Sequence, residues 1–128
     1  MDATTLNQTI KIDVQTTFLP DQSDPPEDRY VFAYTITIQN LGKTPAQLLT
    51  RQWRITDANG KIEEVRGEGV VGEQPVILPG KLHRYSSGAV IETPVGTMEG
   101  IYGMVNDEGV GFDATIPVFR LAVPGILN

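Results

Sequence analysis

The chain has 128 residues, with ten Lys and Arg against sixteen Asp and Glu, a formal net charge of −6 and no cysteine. A chain of this length forms one domain with one hydrophobic core by default. The lack of cysteine excludes disulfides and thiolate metal sites, and the negative charge repels phosphate backbones. We therefore expect a single domain over residues 1–128 that has no nucleic-acid partner.

The N-terminal residues 1–9 have neither the basic start nor the apolar run of a secretory signal. No stretch of the chain approaches the roughly 18 apolar residues of a membrane span. We expect residues 1–9 to be flexible, and the protein to be cytoplasmic with no membrane partner.

Alternation of apolar and polar residues predicts two strands in the first third of the chain. Ile10–Phe18 and Tyr30–Ile38 both alternate with period two, and the second is rich in β-branched and aromatic residues. Residues 20–28 between them combine three prolines with three aspartates, a composition typical of an exposed loop.

Turn signals divide the rest of the chain into further short strands. Asn and Gly occur together at 40–42, 59–60 and 106–109, where the chain has to reverse. No run keeps a helical period for long enough to predict a helix. Strands are predicted near 10–19, 29–40, 47–57, 61–66, 74–78, 82–91, 97–106 and 111–121, so the fold is an all-β sandwich or barrel.

Residues 67–72 spell G-x-G-x-x-G, which in a dinucleotide-binding fold precedes a helix that holds a pyrophosphate. Pro75 and Pro79 exclude a long helix here, because proline inside a helix removes a hydrogen bond and clashes with the preceding turn. Three glycines within six residues still require a left-handed backbone or a close approach of neighbouring groups.

Two explanations of this glycine segment remain open. We favour a structural loop that lets strands pack closely. Alternatively, its backbone amides form an anion site without a helix, with Arg51 and Arg54 adding positive charge and several nearby glutamates opposing it. The candidate ligand-binding residues are then Arg66, Gly67, Gly69 and Gly72.

The sequence predicts no catalytic residue, no metal site and no cofactor. His83 is the only histidine, and Ser86 and Ser87 lie on the same predicted strand, too far along it to form a nucleophile and base pair with His83. Residues 57–60 resemble the start of a calcium loop, but the glycine comes too early, at the fourth position of the loop where the sixth is required.

Several segments are distinctive as a set and occur in a fixed order: Tyr30–Asn40 (YVFAYTITIQN), Leu48–Asp57 (LLTRQWRITD), Val65–Pro75 (VRGEGVVGEQP), Leu78–Gly80, Tyr85–Gly88, and Gly96–Tyr102 followed by Phe112 and Ile116–Phe119. From about Val14 to Pro124 the chain resembles the bacterial ApaG family. Gln52 departs from the family, in which many members have histidine before the tryptophan.

The resemblance implies a fibronectin type III or immunoglobulin-like β-sandwich of about seven or eight antiparallel strands. It also implies a link to cobalt and magnesium homeostasis, and the domain's use in larger eukaryotic proteins suits protein binding. Fold alone leaves the activity open.

Two functions are therefore considered. The favoured one is a non-catalytic interaction module, in which Trp53, Tyr85, Tyr102 and Phe119 mostly fill the core and an exposed sheet edge or face binds a protein partner. The alternative is a binder of pyrophosphate, a dinucleoside polyphosphate or a divalent ion at Gly67–Gly72. A homo-oligomer formed through an unprotected edge strand is also possible.

Overall fold

Eight strands carry the fold, and the computed structural model, which describes residues 2–126, pairs all of them antiparallel. The elements in chain order are α1 (Ala3–Asn7), β1 (Ile10–Phe18), β2 (Tyr30–Asn40), β3 (Ala46–Asp57), β4 (Ile62–Glu68), β5 (Val76–Ile77), β6 (Leu82–Ile91), β7 (Val95–Asn106) and β8 (Gly111–Ala122). Two short 3-10 turns, Pro20–Gln22 and Pro25–Glu27, interrupt the loop after β1. The prediction of an all-β sandwich is confirmed.

The strands form two sheets that pack face to face. One has three strands in the order β1-β2-β6; the other has five, with β4-β3-β7-β8 side by side and β5 paired to the start of β3. Every second side chain of β2 points between the sheets, and Ile36 and Ile38 are fully buried there. They meet the inward side chains of β7, among them Met98 and Tyr102, in one core.

A bulge in β3 changes which of its residues face the core. Leu48 pairs with Met104 and Thr50 with Gly103, so β3 has one residue more than β7 at this point. Even-numbered side chains are buried before the bulge and odd-numbered ones, such as Trp53, after it. Arg51 therefore points to the inner side of its sheet.

The two sheets are joined differently along their two sides. On one side the edge strands β1 and β8 pack against each other. On the other side β6 and β4 are the edges, and residues 69–81 cross from one sheet to the other. We call this second side, with β4, β6 and residues 69–81, the open side.

Within residues 1–9, the segment expected to be flexible, residues 3–7 form a short helix that the sequence did not predict, and residue 1 lies outside the described residues. Asp2 caps the five-residue helix α1 by accepting a hydrogen bond from the Thr5 amide at 2.9 Å. Leu6 is only 3% exposed and belongs to the core, and the Asn7 side chain accepts a hydrogen bond from the Thr115 amide of β8. A helix of five residues is too short for its periodicity to be visible in the sequence. No helix within residues 2–126 is long and apolar enough to cross a membrane.

Candidate functional site

The glycine segment forms a hairpin on the open side, here called the glycine hairpin (Gly67–Glu73). Val70 and Glu73 exchange two backbone hydrogen bonds, of 2.8 and 3.0 Å. The two residues between them, Val71 and Gly72, have φ angles of 49° and 78°. Positive φ at both central positions is the signature of a type I′ turn, which suits the twist of a hairpin.

The other two glycines of the motif have separate structural reasons. Gly69 has a φ of 63°, and the carbonyl of Glu73 occupies the space that a β-carbon would need. At Gly67 the Arg51 guanidinium lies close to the α-carbon. A β-carbon added there would stand only 2.7 Å from Nη1. The sequence prediction of left-handed backbone or close approach is thus confirmed for all three glycines.

Arg51 fixes the glycine hairpin to β3. Its Nη1 donates hydrogen bonds to the carbonyl oxygens of Glu68 and Gly69, at 2.9 and 3.1 Å. The Gly69 amide donates to the Leu49 carbonyl at 2.8 Å, and the Val70 amide is held by Glu73. These amides are therefore bonded within the protein itself.

A cleft of about 370 Å³ lies between the glycine hairpin and β6. Its lining combines aromatic rings, hydroxyl groups and one charge of each sign: Tyr34, Arg51, Trp53, Glu68, Val70, Val71, Gly72, Tyr85, Ser86 and Ser87. Hydroxyl groups and a guanidinium supply hydrogen-bond donors, while the rings supply apolar surface, so the cleft can accept a mixed polar and apolar group.

The predicted ligand-binding residues are not gathered around this cleft. Gly72 lines it, but Arg66 pairs with Gln52 on the outer face of the five-stranded sheet. Arg66 and Gly67 instead border a second cavity of about 320 Å³, which shares Arg51 and Glu68 with the cleft. Arg51, on the inner face after the bulge, is the arginine of the cleft.

Three tyrosines keep their protons at neutral pH. The Tyr85 and Tyr102 hydroxyls are hydrogen-bonded to each other, and the Tyr34 hydroxyl lies near Ser87. Burial raises the pKa of all three hydroxyls, and it outweighs the opposing effect of Ser87 on Tyr34 and of Tyr102 on Tyr85. In the cleft, Tyr34 and Tyr85 thus act as neutral hydrogen-bonding groups.

His83 lies beside the cleft without a catalytic partner. Its Nε2 is buried and has no hydrogen bond; the nearest carboxylate oxygen, Glu73 Oε2, is 3.8 Å away. Its ring stacks on that of Tyr85, with ring centroids 6.3 Å apart. Residues 2–126 contain no group of three or more His, Cys, Asp or Glu side chains placed to hold a metal ion.

The edge of β6 presents unpaired backbone groups along the mouth of the cleft. The Asn40 amide donates to Lys81 at 3.0 Å, whereas the next amide, Leu41, donates to Thr9 on the opposite side. Because this direction alternates, even-numbered residues of β2 bond to odd-numbered residues of β6. The N–H and C=O groups of the even-numbered residues of β6 point away from β2. These residues are Leu82, Arg84, Ser86, Gly88 and Val90.

The other three edges carry features that prevent strand pairing. In β8, Pro117 has no amide hydrogen and the Thr115 amide is capped by Asn7. β1 packs beside β8, and β4 carries four charged side chains in seven residues. β6 has ten residues, no proline and one formal charge, on Arg84. Its residues 86–88 are consecutively exposed, and among the edge strands of the described sheets that are longer than the two-residue β5 it is the one without such protection.

Sequence reasoning identified Tyr85–Gly88 as distinctive, but it did not place these residues on a cleft wall. It also grouped Arg51 with Arg66 and Arg54, although Arg51 faces the other way. A period-two pattern broken between Leu48 and Trp53 is the signal that could have revealed the bulge.

Comparison with known proteins gives long and close matches. The model of the ApaG domain family matches residues 20–106. The chain is 60% identical over 117 residues to Protein ApaG of Sodalis glossinidius, which covers 91% of this chain and 94% of that protein. It is 57% identical over 119 residues to Protein ApaG of Pseudomonas aeruginosa, with 93% and 94% covered. These names state no catalytic activity.

Solved structures agree with the sandwich. An X-ray structure of a structural genomics target superimposes with a TM-score of 0.91 at 52% identity, covering 95% of this chain and 92% of that one. A crystal structure described as ApaA from Bordetella pertussis has a TM-score of 0.89 at 45% identity, with 91% and 95% covered. The C-terminal domain of Wzt, at 10% identity and a TM-score of 0.53, shares the fold alone.

Proposed function

The chain belongs to the ApaG family, and from that premise and the geometry of the open side we propose that it is a non-catalytic protein-interaction module. Its partner is an extended segment of another polypeptide, which adds a strand to the three-stranded sheet along β6. Strand addition to an open sheet edge is a common mode of peptide recognition.

The observation that carries this proposal is the unprotected edge of β6 beside the cleft. Backbone groups of five residues point outward from this edge, and they offer hydrogen bonds to any sequence. Affinity in such complexes comes from the main chain, whereas pockets for alternate side chains give selectivity.

The cleft supplies the selective part of the site. Side chains on the inner face of an added strand would point toward Tyr85 and Ser87, because these residues face inward from β6. Arg51 and the neutral Tyr34 hydroxyl then offer donors, and the exposed Val71 offers apolar surface at the rim. Hydrogen-bonding groups that contain no nucleophile and base pair suit binding better than catalysis.

The proposal is tested by selecting linear peptides from a displayed library against the full chain. Selected peptides are then titrated while backbone amide NMR shifts are recorded. We expect the largest shifts at the even-numbered amides of β6, together with slowed hydrogen exchange there. Selection that yields no binder, or binders whose shifts map to β8 or to the outer face of the five-stranded sheet, would refute the proposal.

Two matched variants distinguish binding at the β6 edge from nonspecific binding elsewhere on the surface. Val90 and Val118 are both exposed strand valines, 44% and 61% accessible, but only Val90 lies on β6. Val90→Lys places a charge on the proposed edge and is expected to weaken peptide binding about tenfold. Val118→Lys is expected to bind as the unchanged chain does.

A second candidate function is the binding of a small anion, such as pyrophosphate, at the glycine hairpin. The observation that favours it is the guanidinium of Arg51 among the hydroxyl groups of the cleft. Titration with pyrophosphate distinguishes the two arginines: Arg51→Lys is expected to abolish shifts in the cleft, whereas loss on Arg66→Ala would assign the anion to the outer cavity. Flat titrations would exclude this candidate.

A further inference from the structure

We propose that a second copy of this chain is a partner of β6, so that two molecules join their three-stranded sheets into one six-stranded sheet across a two-fold axis. This inference rests on the proposed function, since it uses the same edge. It adds the identity of the strand that pairs with β6 and the register of that pairing.

The direction of the backbone groups restricts the register. In an antiparallel pair, residues whose N–H and C=O groups point toward the partner strand must lie opposite residues of that strand whose backbone groups point back. In β6 these are the even-numbered residues from Leu82 to Val90. All five are used at once only when Ser86 lies opposite Ser86 of the second copy, on the two-fold axis.

This register also brings compatible side chains together. On the outer face of the sheet, Leu82 lies opposite Val90 of the second copy, and the symmetry repeats this apolar pair at the other end. Both side chains are unusually exposed for their type, at 51% and 44%. Cross-strand pairs of this kind stabilise sheets, whereas like charges directly opposite each other destabilise them.

Within β6 itself, the register brings no like charges opposite each other. Arg84, the only formal charge of β6, lies opposite Gly88 of the second copy, which has no side chain to displace. Lys81 of one copy comes to the same end of the joined sheet as Glu92 of the other, whose carboxylate already accepts a hydrogen bond from Lys61 of its own chain. On the inner face Tyr85 lies opposite Ser87 of the second copy.

An isologous contact of this type closes on itself, because the same edge is used by both molecules. Each copy has lost its unprotected edge once the pair forms, and the remaining edges carry the protective features described above. The expected assembly is therefore a dimer and not a fibre.

Sedimentation of the full chain over a wide concentration range tests self-association. We expect the mean mass to rise toward twice that of one chain. Val90→Lys should weaken this association about tenfold, because the charge enters opposite Leu82 at both ends. Val118→Lys, on β8, should sediment as the unchanged chain does.

A single engineered cysteine tests the register, since the chain has no cysteine of its own. Opposite α-carbons of a hydrogen-bonded antiparallel pair are about 5.5 Å apart, a separation that a disulfide spans. Ser86→Cys should therefore form a covalent dimer under mild oxidation much faster than Val118→Cys. Equal rates for the two variants would overturn the register.

The outcomes distinguish this inference from the proposed function. A chain that stays monomeric at all concentrations, while selected peptides still shift the β6 amides, refutes self-pairing and leaves peptide binding intact. A chain that is monomeric and binds no peptide refutes both.

Discussion

Val71 shows backbone strain at a single residue beside the cleft. Its φ of 49° lies in the left-handed region, which β-branched side chains rarely adopt. The side chain is 64% exposed, so packing does not offset the cost. Such strain is typically about 1–3 kcal/mol and clusters at binding sites, which fits the position of Val71 at the rim of the cleft.

Val71→Asn should stabilise the protein by about 1 kcal/mol, because asparagine tolerates the left-handed conformation that a type I′ turn requires. The free energy of unfolding in urea measures the effect. Val76→Asn is the matched control: Val76 is also exposed, at 56%, but lies in β5, so asparagine should give no gain there. An equal gain at both positions would show that Val71 is not strained.

At the scale of elements, the glycine hairpin depends on Arg51 of the neighbouring strand. Arg51→Met removes two hydrogen bonds from a charged donor and should destabilise the chain by about 1–3 kcal/mol. Faster hydrogen exchange at the Gly69 and Val70 amides would report the loosened hairpin directly.

Arg66→Met provides the comparison for this prediction. Arg66 is exposed on the outer face of β4, and removing such a side chain usually changes stability by no more than about 0.5 kcal/mol. If both substitutions have the same cost, the hairpin is not held by Arg51.

The elements also show how far the sequence could predict the structure. Strand positions were predictable because alternation and turn residues are local signals, as in β2, where inward positions recur at every second residue. The side of the sheet to which the Arg51 side chain points was not predictable, because it depends on a bulge that forms only when β3 pairs with β7. The position of α1 was missed for a similar reason: its one anchor, Leu6, gains its contacts only in the folded core.

The cleft could not be predicted either, because it also depends on contacts between elements that are distant in the sequence. Tyr34 and Tyr85 are on paired neighbouring strands, but the glycine hairpin that completes the cleft belongs to the other sheet. The sequence gives no distance between sheets. The motif G-x-G-x-x-G could therefore be predicted to bend the chain, but its spacing did not reveal which surface it would face.

At the scale of the whole molecule, an aromatic cluster joins the two sheets. Trp53 stands edge-on to Tyr102 and Phe119, with ring centroids 6.3 and 5.8 Å apart, and Tyr34 of the opposite sheet contacts Trp53 at 5.6 Å. Trp53 is 4% exposed, so its predicted place in the core is confirmed. Edge-to-face pairs of this kind add stability beyond the burial of their surface.

The phenols in this cluster make the stability of the molecule depend on alkaline pH. Burial raises the pKa of Tyr102, so the folded chain keeps a proton that the unfolded chain loses above its ordinary value of about 10. The unfolded state then binds fewer protons, and the free energy of unfolding must fall as pH rises. The loss begins near pH 10 and reaches up to about 1.4 kcal/mol per pH unit for one such group.

Urea unfolding at a series of pH values from 8 to about 11 measures this slope. Tyr102→Phe removes the titrating group while keeping the ring. The free energy of unfolding of this variant should therefore fall less steeply above pH 10, even if it is lower than that of the unchanged chain at pH 8. Tyr30→Phe is the matched control, because Tyr30 is half-buried and lies outside the paired hydroxyls of Tyr85 and Tyr102. A slope that is the same in all three proteins would show that the core phenol ionises as easily in the folded chain as in the unfolded one, and that the two sheets do not enclose it as described.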